Sequence, residues 1–333
     1  MKSNCFFLLA LGICFFLVAG CSEAVSGPKP VHESAGSQGD DSREDASPLK
    51  LVATTGQINS ALNRITAGTG AQVRLLCGPG VDPHSFSAST RDVQAMLDAD
   101  LIVYNGFHLE AMLSEHLEGT FQDKSWSMAS AFPASQRLDW VEDGEIDPDA
   151  PVDPHIWNHL PAWGVCVTGL AEHMAGADPA HADQYRENAA AYVAELEEAH
   201  QWACQKLSEL PEDSRILISA HDAFGYFARN YGMTTGAPLG VGNDSEADVQ
   251  TISEISELIC EQKIPAIFLE TITNPRVTQA LSEACAARGW NVVIVRQPLY
   301  SDDLGEESPH DTFLGAFRSN VNVIYEALSS AGT

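Results

Sequence analysis

Short apolar or β-branched runs alternate with amphipathic helical stretches along this chain, and the alternation occurs twice. Strand-type runs at residues 49–55, 72–77 and 100–105 are separated by helical stretches over 57–68 and 91–98. After an irregular acidic segment, strand-type runs return at 214–219, 265–270 and 291–296, with helices predicted over 221–231, 247–262, 276–288 and 311–328. Such alternation builds parallel sheets wrapped by helices. Two sets predict two Rossmann-like α/β lobes, whose ligand sites fall in loops at the carboxyl ends of strands.

Between the two sets, residues 183–210 carry the strongest helical pattern. Tyr185, Ala189, Tyr192, Leu196, Ala199, Ala203 and Leu207 recur at three- or four-residue steps and so share one face. At 1.5 Å per residue this helix is about 40 Å long, enough to join two lobes as a strut. Packing within a single lobe is the alternative.

The N-terminal pattern is of another kind. Lys2 precedes a mostly apolar run over residues 6–18, and Leu17-Val18-Ala19-Gly20-Cys21 closes it with small residues and a cysteine. This is the layout of a secretory leader, and the run is short for a membrane span. Small residues before a cysteine predict a lipoprotein site that leaves Cys21 lipidated; an ordinary leader cut near Ala19 is the alternative. The predicted organisation is a leader at 1–20, a Ser/Gly/Asp/Pro-rich tether at 21–48, a first lobe at 49–180, a linking helix at 181–210 and a second lobe at 211–333. Export places the protein outside the cytoplasm, lipid-anchored to a bacterial membrane at the cell surface or in the periplasm.

Charge narrows the partners. The 333 residues include 46 acidic and 18 basic side chains, a net charge of −28. Such a surface repels nucleic acid and suits a cation, although acidity by itself also serves solubility. Cys77, Cys166, Cys204, Cys260 and Cys285 follow the export segment without a Cys-x-x-Cys spacing, so they do not form a metal cluster. Of the pairings open to them, Cys260 with Cys285 is favoured, because both flank the 266–269 strand.

The candidate chemistry lies in dispersed histidines. Asp-Pro-His occurs twice, at Asp82–His84 and Asp153–His155, and His221 stands where the apolar run Leu217-Ile218 turns polar. Imidazoles brought from separate loops to one point are the commonest protein ligands of transition metals. Gly78-Pro79-Gly80 predicts a turn that sets His84 at a strand end, and Trp157 can shield one side of His155. A histidine at a helix start is disfavoured as a cation, and the neutral ring is the form that binds metal, which selects His221. A fourth donor should come from another strand end of the second lobe, where Glu270, Asp302 and Asp303 are all placed to supply a carboxylate; spacing leaves that choice open. His108 and His159 are candidates for supporting contacts.

Six segments then carry a resemblance: Val52–Gln57 (VATTGQ), Gly78–Phe86 (GPGVDPHSF), Ala99–Glu110 (ADLIVYNGFHLE), Asp153–Trp157 (DPHIW), Ser219–Phe227 (SAHDAFGYF) and Tyr300–Gly305 (YSDDLG). In this order they resemble the zinc/manganese substrate-binding lipoproteins of ABC transporters, over nearly all of the chain from residue 49 onward. The resemblance implies two α/β lobes joined by one long helix, with a metal in the cleft between them. It implies His84, His155, His221 and Asp302 as the ligands, leaving Glu270, Asp222, Asp303 and His108 as groups that orient the imidazoles or tune charge. Two departures stand out. Residues 137–154 hold seven acidic residues and no histidine, where many zinc-uptake members have a His-rich loop, and His159 stands near where relatives often have an acid.

Three imidazoles and one carboxylate favour zinc, with manganese next. The expected role is capture of a divalent ion by a monomer and its delivery to the cognate ABC permease, with release through movement of loops around Asp302 and His221. The alternatives are a zinc hydrolase with an open three-histidine site and a surface adhesin.

Overall fold

The computed structural model describes residues 48–138, 152–242 and 247–329, with the backbone of 141–142 and 145–146. The predicted leader, tether and Cys21 lie outside the described residues. The first sheet has the order β2-β1-β3-β4, all parallel, with β1 at Lys50–Ala53, β2 at Gln72–Leu75, β3 at Leu101–Tyr104 and β4 at Ser125–Ser127. Helices α1 (Gly56–Ile65) and α2 (Thr90–Asp98) make the crossovers. Leu51, Val52, Ile102 and Val103 are buried because β1 and β3 are central and covered on both faces. The first turn of α2 is set by a capping box, in which Ser89 accepts from Asp92 N–H and the Asp92 carboxylate takes the Ser89 N–H. Strand β4 was not expected, since Ser-Trp-Ser is too short and polar to show a strand pattern.

A short antiparallel pair, β5 (Val141–Glu142) with β6 (Glu145–Ile146), interrupts the acidic segment. The second half of the chain places β7 (Ile216–Ile218) parallel to β8 (Thr234–Gly236), and β9 (Ala266–Glu270) parallel to β10 (Val293–Leu299), with β7 beside β9. Helices α6 (Val249–Glu261), α7 (Pro275–Ala287) and α8 (Phe313–Ser329) fall close to their predicted positions. Helix α5 differs: it runs Gly225–Tyr231 and starts four residues after His221, which instead sits in an isolated parallel bridge with Leu239. The helix-start argument for His221 therefore does not describe its setting.

Two long helices, α3 (Leu160–Ala177) and α4 (Ala182–Leu207), pack against each other between the two sets of strands. All seven residues of the predicted α4 stripe are buried. Its 26 residues span about 39 Å, and along that length it packs against α3, α1, α5 and α8. Helix α3 gave no clear period. Leu160, Ala162, Trp163, Cys166, Val167, Leu170, Ala171 and Met174 are all buried, and a helix apolar on most faces shows little contrast between them.

All five described cysteines are thiols. Helices α6 and α7 bring Cys260 Sγ to 3.9 Å from the Cys285 carbonyl oxygen. Among the described residues no helix is long and apolar enough to cross a membrane.

Candidate metal centre

Four loops converge on one point. His84 follows β2, His155 precedes α3, His221 follows β7 and Asp302 follows β10, and one ligand atom from each lies within 4.8 Å of all the others. All four residues are buried. Asp302 Oδ2 is 3.2 Å from His84 Nε2 and 3.4 Å from His221 Nε2, and Oδ1 is 3.6 Å from His155 Nε2. His84 Nε2 and His155 Nε2 are 3.3 Å apart. Both Asp302 oxygens and His221 Nε2 lack a hydrogen-bond partner, although buried polar atoms are normally satisfied. Unsatisfied acceptors aimed at a shared centre from several directions form a cradle of a kind that could hold a cation.

Two of the rings are held from behind. The His155 ring Nδ1 lies 2.8 Å from Asp153 Oδ1, which also accepts the His155 backbone N–H at 2.9 Å. Proline between the two residues restricts the backbone that makes this two-residue chelate. His221 Nδ1 pairs with the Glu270 carboxylate, whose Oε1 accepts the backbone N–H groups of Ala220 at 2.6 Å and His221 at 2.9 Å. A carboxylate at Nδ1 keeps a proton there and leaves the Nε2 lone pair for an ion. Trp157 stands edge-on to His155 with ring centroids 5.4 Å apart and donates through Nε1 to Ser301 O at 2.9 Å.

The remaining candidates fall elsewhere. Among the described residues Asp222 makes no hydrogen bond to an imidazole; burial, then the Asp153 charge, raises its carboxyl pKa. Asp303 accepts from Gly80 N–H at 2.7 Å and from the Thr271 hydroxyl. His108 is exposed, with φ +61°. His159 has a structural part that its sequence position does not announce. Its Nδ1 accepts the Ala162 N–H at 3.2 Å and caps α3, while Nε2 donates to Gln136 Oε1 at 2.9 Å. Burial, then Arg229, pushes its pKa down to about 4, so it stays neutral as a cap requires. Asp153 was visible in the sequence only as a motif letter; the two-residue spacing to His155 was the signal for its role.

In the metal-free protein the carboxylates around the rings favour protonated imidazoles. Burial opposes charge on His155, but Asp302 and then Asp153 outweigh it, and the pKa is pushed up to about 9. Burial likewise opposes charge on His221, and Glu270 with Asp302 raises it well above the ordinary value. Asp302 is held well below the carboxylate range: burial would raise it, and His221 and His155 prevail. A raised histidine contributes stability that is complete below its unfolded value of 6.5 and is lost as pH rises through its folded value. Metal-free protein should therefore lose melting temperature between pH 6.5 and 9, whereas loaded protein should not. Zinc titrations at pH 7 in buffers of different ionisation heat should show net proton release on binding, less of it above pH 9. Release that is flat across this range would count against the assignment.

Parallel-sheet halves bridged by a long helix, with a buried His₃Asp cluster made of loops from both sheets, define a two-lobe substrate-binding protein for a metal cation. The chain matches the family model "Zinc-uptake complex component A periplasmic" over residues 51–327, and it belongs to that family. It is 35% identical over 282 residues to the manganese-binding lipoprotein MntA of Bacillus subtilis, covering 84% of this chain and 90% of that protein. It is 34% identical over 291 residues to the zinc-binding protein TroA of Treponema pallidum, covering 87% and 91%. A solved structure of the periplasmic zinc-binding TroA superposes with a TM-score of 0.79 at 33% identity, over 84% of this chain and 99% of that one. The two-lobe, helix-linked α/β fold is thus that of the family, and the protein is an extracytoplasmic metal-binding component of an ABC importer, not an enzyme.

Proposed function

We propose that this protein binds one divalent ion on His84, His155, His221 and Asp302, zinc ahead of manganese, and delivers it to its permease as a monomer lipid-anchored through Cys21. The lobes of this reading are residues 49–180 and 211–333, with 181–210 as the link. The observation that carries it is the convergence of three imidazole nitrogens and one carboxylate within 4.8 Å in a buried cluster. Nitrogen-rich four-coordination suits zinc. Asp302 stands among the rings, so the four protein donors leave no open water position of the kind a hydrolytic zinc needs.

One observation favours manganese as a second cargo. Both Asp302 oxygens are free of hydrogen bonds, so bidentate binding raises the coordination number and oxygen share that manganese prefers. Calorimetric titration of metal-stripped protein with each ion decides between them. The expected result is one zinc per chain at submicromolar affinity. At a thousandfold excess over the dissociation constant, stability rises by about 4 kcal/mol, a melting shift of roughly 10 °C for a domain of this size. Tighter binding of manganese than of zinc would reverse the order of cargo. Uptake of neither ion would overturn the reading.

A further inference from the structure

Three of the four donors sit on one hydrogen-bonded body. The segment that carries His155 is tied to the second half of the chain by Tyr226 Oη donating to Asp153 O at 3.1 Å, Asn158 Nδ2 donating to Ala223 O at 2.9 Å and Trp157 Nε1 donating to Ser301 O at 2.9 Å. Those acceptors and donors lie beside His221 and directly before Asp302. The rings of His155 and His221 are also fixed at Nδ1, by Asp153 and Glu270.

His84 is held differently. It belongs to the same Asp-Pro-His motif, yet Asp82 Oδ1 takes only its backbone N–H, at 2.9 Å, and among the described residues no protein group holds its Nδ1. Its side chain is 8% exposed, whereas those of His155, His221 and Asp302 are fully covered. Residues 78–87 form a turn in which Val81 N–H donates to Gly78 O at 3.1 Å and Gly80 takes φ +72°, a conformation that suits glycine, while Val81 and Phe86 pack on the core. Among the described residues, one hydrogen bond fastens this backbone to another part of the chain, from Gly80 N–H to Asp303 Oδ2 at 2.7 Å. Asp303 is braced in turn by the Thr271 hydroxyl at the end of β9.

We propose that residues 78–87 are the gate of the site, with His84 the donor that parts first, and that Asp303 is the positioning residue that latches this gate through Gly80 N–H. His155, His221 and Asp302 then keep their arrangement while the gate opens, in contrast to the release by loops around Asp302 and His221 that the sequence suggests. This rests on the metal-binding reading above.

Chelator-driven release of zinc from loaded protein, followed by stopped flow, tests the latch. Asp303→Ala should release zinc about tenfold faster than wild type, the scale of one charge-assisted hydrogen bond. Asp303→Asn, whose carboxamide oxygen still accepts from Gly80, should stay within about threefold. A wild-type rate in Asp303→Ala, or equal acceleration in both variants, overturns the latch. Metal-free melts of both variants establish that they fold. Hydrogen exchange on the wild type gives a measurement independent of any variant: without metal, residues 78–87 should exchange faster than 153–158 and 219–224, and slow on zinc loading. The opposite order overturns the gate. Wild-type protein that takes up neither zinc nor manganese overturns the metal-binding reading and the gate with it, and direct titration tells that result from a failed latch.

Discussion

Asp302→Ala is expected to weaken zinc binding by more than about a hundredfold, beyond the 10–100-fold that loss of an orienting group costs. Asp302 is the one donor that faces all three imidazoles, at 3.2 to 3.6 Å. Its removal leaves a neutral donor set and lifts a charge that raises the pKa of both His155 and His221. The variant should therefore melt at nearly the same temperature with and without zinc, and its metal-free form should lose less stability between pH 6.5 and 9 than wild type does. Calorimetric affinity within tenfold of wild type would remove Asp302 from the donor set.

Glu270→Ala is expected to damage the fold itself. The carboxylate takes two backbone N–H groups, of Ala220 and His221, and the ring of His221, all in a buried setting. Removing one partner of a buried charged network costs about 3–5 kcal/mol, a large share of the usual 5–15 kcal/mol. Urea unfolding of metal-free protein should show a correspondingly lower midpoint. Glu270→Gln separates support from tuning. Its carboxamide oxygen can keep the backbone bonds, so most stability should remain. Its amide N–H then faces His221 Nδ1, moves the imidazole proton to Nε2 and blocks the lone pair needed by the ion, so zinc affinity should fall about 10–100-fold. Equal affinity in Glu270→Gln and wild type would refute that role.

The parts legible in the sequence were those with contrast. The α4 stripe stood out because polar residues separate its apolar positions, and the apolar strands β1, β3 and β9 stood out by composition. Helix α3 lacked contrast because it is apolar nearly throughout, while β4 and β8, three residues each, are defined by pairing with neighbours and not by their own pattern. In the site, strand-end histidines could be read, but the choice among Glu270, Asp302 and Asp303 could not. Glu270 ends β9 and the two aspartates lie just past β10, and what separates the three is direction. Glu270 meets the Nδ1 side of His221, Asp302 meets Nε2 atoms, and Asp303 turns to Gly80. Only the tertiary placement of β9 against β10 resolves such differences, and the family resemblance supplied Asp302 where spacing did not.

The raised imidazoles carry a consequence for transport. Asp302, with Asp153 behind one ring and Glu270 behind the other, favours positive charge on His155 and His221 in the empty cradle. An arriving divalent ion therefore displaces protons instead of adding its full charge to a buried site, which lessens the desolvation cost that a bare buried ion carries.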